Sequence, residues 1–224
     1  MKRRVVKTSD GSHTLEINEG AEHYHSTHGA IQESRHVFVE MGLEHMHRAV
    51  EALSILEIGF GTGLNALLTL EWAEKELVAI DYTGLEAYPL SEQEWSGLNY
   101  PDQLDWSGAL DSWSRLHRGP WGESFRVGSE FQMTKRAQKV QDFNEVSRFD
   151  VVYFDAFGPR HQPNMWTDEV FETVFDACKP GGILVTYCAK GEVRRTMQRV
   201  GFEVERLQGP PGKREMLRAT KPGS

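Results

Sequence analysis

The feature that most constrains the fold is a glycine-rich segment between an apolar stretch and a helical one. Residues 59–63 read Gly-Phe-Gly-Thr-Gly. The apolar run 54–58 before them predicts a buried strand, and the Leu- and Ala-rich run 64–75 after them predicts a helix. Glycines at such a junction let a ligand approach the backbone, and the first N–H groups of the helix point at that ligand. The segment therefore predicts a ligand-binding loop in an α/β fold.

Strand and helix patterns alternate along the rest of the chain. We expect extended segments at 77–86, 125–133, 137–140, 149–155 and 183–187, helices at 30–50, 167–178 and 192–200, short helices within the Trp-rich stretch 91–121, and a Pro-Gly-Gly turn at 180–182. We also expect hairpins at 5–17 and at 202–219. Such alternation predicts a doubly wound, mostly parallel sheet that ends in an antiparallel hairpin. We expect 1–50, a hairpin and a helix, to be appended to a core at 51–224, the whole forming one structural unit.

The glycine spacing and a nearby acid restrict the class of ligand that the loop could bind. The spacing is G-x-G-x-G and differs from the G-x-G-x-x-G of dinucleotide enzymes, and no Lys-Ser/Thr pair follows it, as a phosphate-binding P-loop requires. Glu57 stands two residues before the first glycine. A carboxylate there suits a ligand with an ammonium or sulfonium group and opposes a pyrophosphate. S-adenosylmethionine meets that requirement.

Two further acids follow predicted strands. Glu86 ends the second strand, where a carboxylate holds ribose hydroxyls in related folds. Asp81 competes for that role, but it lies early in the strand. Asp142 follows the next extended segment and is a candidate to accept a hydrogen bond from the adenine amino group. A loop or helix-capping aspartate is the open alternative for Asp142.

Composition excludes several classes of protein. The chain has 224 residues, 39% of them hydrophobic and 26% charged, with no window of about 20 apolar residues that spans a bilayer. Two cysteines and unsuitably spaced histidines predict neither disulfides nor a metal site, so a reducing, cytoplasmic setting is expected. The net charge is −8, yet residues 190–224 hold nine Lys and Arg against four acids. That basic end is suited to local contact with a polyanion, and a solvated surface without a partner, which composition alone slightly favours, is the open alternative.

Several motifs together resemble one known family. The segments 56–65, 155–159 and 162–166 carry the resemblance, with further matches at 33–38, 85–90 and 212–216. They run in family order over nearly the whole chain. The sequence resembles the methyltransferases of the MnmC type, which have the Rossmann-like class I S-adenosylmethionine-dependent fold. The fused members carry Asp-Gly-Phe-Ala-Pro where this chain reads Asp-Ala-Phe-Gly-Pro at 155–159, which leaves the loop shape open.

The resemblance implies a reaction on tRNA. Its family converts 5-aminomethyl(-2-thio)uridine to 5-methylaminomethyl(-2-thio)uridine at the wobble position, with S-adenosylmethionine as the cofactor. The expected partner is therefore the anticodon stem-loop of tRNA, with no metal and no membrane. The fused members also have a flavin-dependent oxidase domain, and the expectation here is a stand-alone methyltransferase. A monomer is the simplest expectation, although the sequence leaves the oligomeric state open.

The site residues follow from the loop, the strand ends and the resemblance. The expected cofactor-binding residues are Glu57, Gly59, Gly61, Thr62, Gly63, Asn65, Glu86, Asp142 and Asp155. The expected catalytic residues are Asp155, to orient the amine and accept its proton, and Phe157, to enclose the uracil. Capping of the loop by Asp155 is an equal alternative. The expected tRNA contacts are Arg160, Trp166, Lys190, Arg194, Lys213 and Arg214, with His161 and Arg195 as further candidates. A core position is the stronger alternative for Trp166, and a solvated surface charge is the stronger alternative for any single cation.

Two other functions stay open from the sequence. The first is a methyl- or aminopropyltransferase of the same fold that acts on a free small amine such as a polyamine, since the acidic body of the chain suits a cationic substrate. The second is a non-catalytic subunit that binds S-adenosylmethionine without turnover.

Overall fold

A computed structural model describes residues 3–17, 20, 22–47 and 51–223. The strands are β1 Arg3–Lys7, β2 His13–Ile17, β3 Glu22–His23, β4 Ala52–Ile58, β5 Ala79–Leu85, β6 Ser124–Arg126, β7 Phe131–Arg136, β8 Phe149–Phe154, β9 Cys178–Thr186, β10 Glu203–Gln208 and β11 Glu215–Thr220. The helices are α1 Ala30–Ser34, α2 Glu44–His47, α3 Leu64–Glu76, α4 Glu92–Ser96, α5 Ala109–Arg118, α6 Asp168–Ala177 and α7 Gly191–Val200, with a π-helix at Arg35–Leu43. Short 3₁₀ turns lie at Pro101–Gln103, Val140–Asp142 and Pro163–Met165.

The largest unit is an eight-stranded sheet in the order β10-β11-β9-β8-β4-β5-β7-β6. The five strands from β9 to β7 run parallel, and β6, β10 and β11 are antiparallel to their neighbours. All six residues of β8 are buried, and its last four, 151–154, form the continuous apolar run that predicts a central strand. This confirms the expected α/β fold, with its mostly parallel sheet and its C-terminal hairpin.

The order of the sheet reverses at β4. Strand β5 pairs with one side of β4, and β8 pairs with the other. Ligands in doubly wound sheets bind at the carboxyl ends of the strands beside such a reversal. The loops that follow β4, β5 and β8 therefore meet at the point where this fold offers a cleft.

The N-terminal part forms its own small sheet. Strands β1 and β2 pair as the predicted hairpin, with Lys7 opposite His13, and β3 pairs with β2. The predicted helix at 30–50 is helical over α1, the π-helix and α2, and its last three positions lie outside the described residues. Within the π-helix, a Cβ atom at Gly42 would lie 3.0 Å from a methyl group of Val185, so the helix packs directly on the sheet.

Three local predictions were wrong. The segment 125–133 is not one extended run, because β6 turns back and pairs antiparallel with β7. The segment 137–140 is a loop that leads into the 3₁₀ turn Val140–Asp142. The Pro-Gly-Gly segment at 180–182 lies inside β9, where the register against β8 shifts, so the glycines relieve a strand irregularity and do not end the strand.

Candidate active site

A cavity lies at the carboxyl ends of β4, β5 and β8. Its floor comes from the glycine loop after β4, from Glu86 after β5 and from Asp155 after β8. Its remaining walls come from the 3₁₀ turn Val140–Asp142, from the loop that contains Phe157, and from the N-terminal sheet. The sequence-predicted loop and strand ends thus meet in one place.

The glycine loop folds tightly under this cavity. Gly59 has φ +90°, and a Cβ atom there would lie 2.6 Å from the carbonyl oxygen of Asp155, so only glycine fits without moving backbone. Gly61 has φ +49°, and a Cβ atom there would lie 3.1 Å from the ring of Tyr24. Gly63 precedes α3 and does not line the cavity. The loop is therefore shaped for close approach of a ligand over Gly59 and Gly61.

Glu86 connects the loop to the end of β5. One carboxylate oxygen accepts a hydrogen bond from the Gly61 N–H at 2.8 Å, and the other accepts one from the Tyr88 N–H at 2.8 Å. Glu86 lines the cavity, whereas Asp81 forms an ion pair with Arg148 at the opposite end of the strand. The carboxylate of Glu86 is held in place and keeps further acceptor capacity toward the cavity.

Glu57 lies behind the glycine loop and does not line the cavity. Its side chain is buried and accepts hydrogen bonds from Asn65 Nδ2 at 2.9 Å and from the Tyr82 hydroxyl at 2.8 Å. Burial raises its pKa well above the usual range. The carboxylate expected to face a sulfonium group instead supports Asn65 from behind, because the strand turns its side chain into the core.

Asn65 joins Glu57 to Asp155. Its Nδ2 also donates to Asp155 Oδ2 at 2.9 Å, and its own Oδ1 is buried without a partner among the described residues. Asp155 lines the cavity, and burial raises its pKa to about 7, against the opposing effect of the Asn65 hydrogen bond. A carboxyl group that titrates near neutrality in a cleft is suited to proton transfer.

Aromatic rings flank Asp155. The Phe157 ring lines the cavity and meets the Tyr24 ring edge-on, with centroids 5.0 Å apart. Trp166 is buried, packs on Phe154 and Phe171, and donates from Nε1 to the Phe157 carbonyl at 2.9 Å. Trp166 therefore supports the Phe157 loop from the core, in agreement with the alternative stated for it, and it does not line the cavity.

Of the two remaining cofactor candidates, one lines the cavity and the other does not. Thr62 lines the cavity and shares a 2.7 Å hydrogen bond with His25 Nε2. Asp142 is exposed at the end of its 3₁₀ turn and does not line the cavity, although Gln141 before it does. The adenine role proposed for Asp142 thus has no support from the cavity lining.

The basic residues expected to contact tRNA differ in exposure. Exposed side chains are found at Arg160, His161, Lys190, Arg195 and Arg214. Arg194 is half-buried, and its Nε is buried without a partner among the described residues. Lys213 points inward, where its ammonium group pairs with Glu33 and lies 3.9 Å from the centroid of the Tyr187 ring. A lysine in this position is not free to bind phosphate.

Sequence reasoning missed the contribution of the N-terminal sheet. Arg3, Tyr24 and His25 line the cavity, and Tyr187 lines it from the end of β9. Burial lowers the pKa of His25 to about 4, so this ring is neutral near pH 7. The earliest match of the resemblance, at 33–38, precedes the glycine loop, and this was the available signal that residues before the loop take part in the site.

No helix in the described part of the chain combines the length and apolar character needed to cross a bilayer. Within 3–17, 22–47 and 51–223, no cluster of three His, Cys, Asp or Glu side chains is arranged for a metal ion. The two cysteines are unpaired and buried.

Comparison with known proteins supports a binding site for S-adenosylmethionine in this cavity. The family described as S-adenosyl-L-methionine-dependent methyltransferase matches residues 129–222. The tRNA 5-methylaminomethyl-2-thiouridine biosynthesis bifunctional protein MnmC of Nitrosospira multiformis is 32% identical over 220 residues, which cover 89% of this chain and 34% of that protein. The protein of the same name from Pseudomonas paraeruginosa is 32% identical over 215 residues, covering 89% of this chain and 32% of that protein. This chain is therefore similar to the MnmC proteins over most of its own length, and its C-terminal part matches a family of S-adenosylmethionine-dependent methyltransferases.

The chain corresponds to only part of the MnmC proteins, and solved structures share its fold. The chain spans about a third of the MnmC proteins it matches, with shares of 34% and 32%. The crystal structure of MnmC2 from Aquifex aeolicus superposes with a TM-score of 0.78 at 24% identity, covering all of this chain and 71% of that one. Spermidine synthase from Thermotoga maritima superposes with a TM-score of 0.61 at 13% identity, covering 99% of this chain and 70% of that one, and shares the fold.

The cavity fits the cofactor of this family. Gly59 and Gly61 leave room where a side chain would meet Asp155 or Tyr24, and Glu86 presents a fixed carboxylate at the end of β5. Val140 and Gln141 close the side where β7 leads into the cavity. Among the predicted cofactor residues, Gly59, Gly61, Thr62, Glu86 and Asp155 line the cavity, while Glu57, Gly63, Asn65 and Asp142 stand behind or beside it.

Proposed function

We propose that this chain methylates the primary amine of 5-aminomethyl(-2-thio)uridine at the wobble position of tRNA. The name of the MnmC relatives, which cover 89% of this chain, supports the substrate. The observation that carries the chemistry is Asp155: one carboxylate oxygen is bonded to Asn65, and no hydrogen bond from the described residues reaches the other. That free oxygen lines the cavity, where an acceptor nitrogen has to lie.

Binding and positioning fall to the residues that line the floor. S-adenosylmethionine, when bound, supplies an electrophilic methyl group on a sulfonium. The glycine loop and Glu86 would hold the cofactor, because they present backbone and a fixed carboxylate to the cavity. Phe157 and Tyr24 would enclose the uracil and exclude water, since their edge-on pair closes the cavity above Asp155.

Asp155 would manage the proton of the amine. A primary amine attacks only through its lone pair, so its nitrogen has to be uncharged first. Asp155 Oδ1 accepts a proton from this nitrogen, and Asn65 holds Oδ2 so that the carboxylate keeps its orientation. A pKa of about 7 suits this exchange near neutral pH.

Recognition of tRNA would use exposed cations. Arg160 belongs to the loop that follows Asp155, and Lys190, Arg195 and Arg214 are exposed on the C-terminal part of the chain. Contacts of this kind position phosphates without reading sequence. We assign 51–224 to the methyltransferase domain and 1–50 to an N-terminal addition that closes the cavity. We expect a monomer in the cytoplasm, where the free cysteines stay reduced.

The proposal is tested by nucleoside mass spectrometry of tRNA from cells that lack this protein. We expect 5-aminomethyl-2-thiouridine to accumulate. A purified-protein assay then compares methyl incorporation into that tRNA with incorporation into spermidine. Methylation of spermidine alone would overturn the proposal in favour of a polyamine enzyme. Binding of S-adenosylmethionine without transfer to either acceptor would indicate a non-catalytic subunit.

A further inference from the structure

Two segments that the reaction leaves unexplained meet beside the cavity. One is the start of the helical stretch at 33–38, and the other is the loop at 209–214 between β10 and β11. Glu33 of the first pairs with Lys213 of the second, and His36 Nε2 lies 2.8 Å from the Gln208 carbonyl oxygen. These contacts fasten the loop to the helical stretch across a long span of sequence.

The Glu33–Lys213 pair is built as a fixed unit. Only 7% of the Glu33 side chain is exposed, and its second carboxylate oxygen accepts a 2.7 Å hydrogen bond from the Ser26 N–H. The Lys213 ammonium group lies 3.9 Å from the centroid of the Tyr187 ring, so the cation is held between a carboxylate and an aromatic face. A surface lysine would have neither constraint.

Tyr187 connects the Glu33–Lys213 pair to the backbone beside Asp155. Its hydroxyl donates to the Ala156 carbonyl oxygen at 2.8 Å, directly after Asp155, and its ring lines the cavity. Lys213 is therefore linked through Tyr187 to the peptide that positions the Asp155 carboxylate.

The charges around Asp155 come from several elements. The titratable groups that interact with Asp155 are Glu33, Glu57, Tyr82, Tyr100, Tyr187 and Lys213. Glu33 raises the pKa of Asp155 and its partner Lys213 lowers it, so Lys213 is the cation of this set and offsets Glu33. Without Lys213, the Asp155 carboxylate would face only acidic or neutral groups among the other five. A nearby cation also disfavours a second positive charge on an acceptor amine.

We propose that Lys213, fixed by Glu33 and Tyr187, is a positioning residue of the transfer site: it keeps the Asp155 carboxylate ionised and disfavours the ammonium form of the acceptor. The idea rests on the proposed function for its acceptor, but its charge effect is independent of tRNA. It also replaces the phosphate-binding role expected for Lys213.

The test measures the titration of Asp155 directly. Protein labelled with ¹³C at aspartate carboxyl groups is titrated by NMR, with Asp155→Asn to assign the signal. We compare the unsubstituted protein with Lys213→Gln, which retains a partner for Glu33, and with Lys213→Arg, which retains the charge. We expect the pKa of Asp155 to rise by about one unit in Lys213→Gln and to change little in Lys213→Arg.

The matched control is Lys221→Gln. Lys221 also places an ammonium group on an aromatic ring, 4.5 Å from the centroid of Phe175, but it lies away from the cavity. We expect no change in the titration of Asp155. An unchanged pKa of Asp155 in Lys213→Gln would overturn the inference, as would an equal rise in Lys221→Gln.

Activity separates this inference from the proposed function. In methyl transfer to tRNA, the acidic limb of the kcat profile should move to higher pH by the same unit in Lys213→Gln, about a tenfold loss well below the limb. Absence of transfer to tRNA by the unsubstituted protein would contradict the proposed function, while the NMR shift would still decide the role of Lys213. If Lys213→Gln does not fold, the titration of Lys213→Met decides the inference by the same criterion.

Discussion

The two ends of the central sheet carry the same kinds of residue in opposite arrangements. Strand β8 has Asp150 near its amino end and Asp155 just past its carboxyl end. Asp150 is buried, and its carboxylate accepts hydrogen bonds from the Ser54 N–H and hydroxyl at 2.8 and 2.6 Å and from Lys179 Nζ at 3.0 and 2.8 Å. Among the residues that the structure describes, the Asp155 carboxylate accepts one hydrogen bond, from Asn65. The same residue type is fully paired at one end and half paired at the other.

Strand β5 repeats the contrast. Asp81 at its amino end pairs with Arg148, whereas Glu86 after its carboxyl end accepts hydrogen bonds from two backbone N–H groups, with no cation paired to it among the described residues, and faces the cavity. The difference teaches that burial or charge alone does not mark a functional acid in this fold. Acids at the amino end are neutralised by cations and stabilise the structure. Acids at the carboxyl end keep free acceptor atoms in a cleft.

The sharpest way to break this comparison is to remove Asp155. We expect Asp155→Ala to lower kcat for methyl transfer to tRNA by about 10²–10⁴-fold, because the acceptor amine loses its proton acceptor. The measurement is single-turnover transfer of a labelled methyl group at saturating cofactor. Retained kcat would mean that Asp155 only caps its loop, as the alternative from the sequence states.

Removing the Asp155 charge should lower activity but raise thermal stability at alkaline pH. Burial raises the folded-state pKa of Asp155 to about 7, above that of an aspartate in an unfolded chain, so the folded protein binds the extra proton. The extra proton therefore contributes to the free energy of unfolding below about pH 4, and this contribution is lost as the pH rises to about 7. We expect Asp155→Asn to remove that slope and to raise Tm at pH 8 relative to the unsubstituted protein. A lower Tm for Asp155→Asn at pH 8 would contradict the assignment.

The mirror-image substitution tests the amino end. We expect Asp150→Ala to lower the free energy of unfolding by about 2–4 kcal/mol, since Ser54 and Lys179 lose a shared buried acceptor. Urea denaturation measures this loss. Cofactor affinity of the folded fraction should not change. The control Asp81→Ala breaks a half-exposed ion pair and should cost less than about 1 kcal/mol.

The next contrast lies along β5. We expect Glu86→Ala to weaken S-adenosylmethionine binding by about 1–3 kcal/mol, through lost charge-assisted hydrogen bonds and a loosened Gly61. Calorimetric titration measures the affinity, with Asp81→Ala as the matched acid at the other end of the strand. Equal affinities of the two variants would remove Glu86 from the cofactor site.

The sequence predicted the parts of this arrangement that are local. The apolar run of β4, the glycines and α3 are adjacent in the chain, so their strand-loop-helix pattern places the cleft before any tertiary contact is known. The ends of β5 and β8 followed from the same reasoning, because parallel strands bring their carboxyl ends to one edge. The helix predicted from residue 167 likewise begins locally, because the Thr167 side chain caps α6 by accepting a hydrogen bond from the Val170 N–H at 3.4 Å.

The parts it did not predict depend on contacts between distant segments. Tyr24 reaches Phe157 only because the small N-terminal sheet folds over the cavity, and no local periodicity encodes that placement. Lys213 reads as a surface cation until Glu33 and Tyr187 are brought beside it. Glu57 was assigned to the ligand by its position in the loop motif, but the side chain alternation of β4 turns it into the core.

The smallest expected effect concerns tRNA and compares exposed cations at the two ends of the sheet. Arg160 follows Asp155 at the carboxyl end, whereas Lys75 lies at the last turn of α3, with 79% of its side chain exposed. We expect Arg160→Ala to weaken tRNA binding by about 0.5–1 kcal/mol and to reduce the salt dependence of log K by about one unit, because one phosphate contact is lost. Lys75→Ala should change neither. Fluorescence anisotropy over a range of salt concentrations measures both quantities. An equal loss for the two variants would show that tRNA is attracted by overall charge and is not docked at the edge where Asp155 lies.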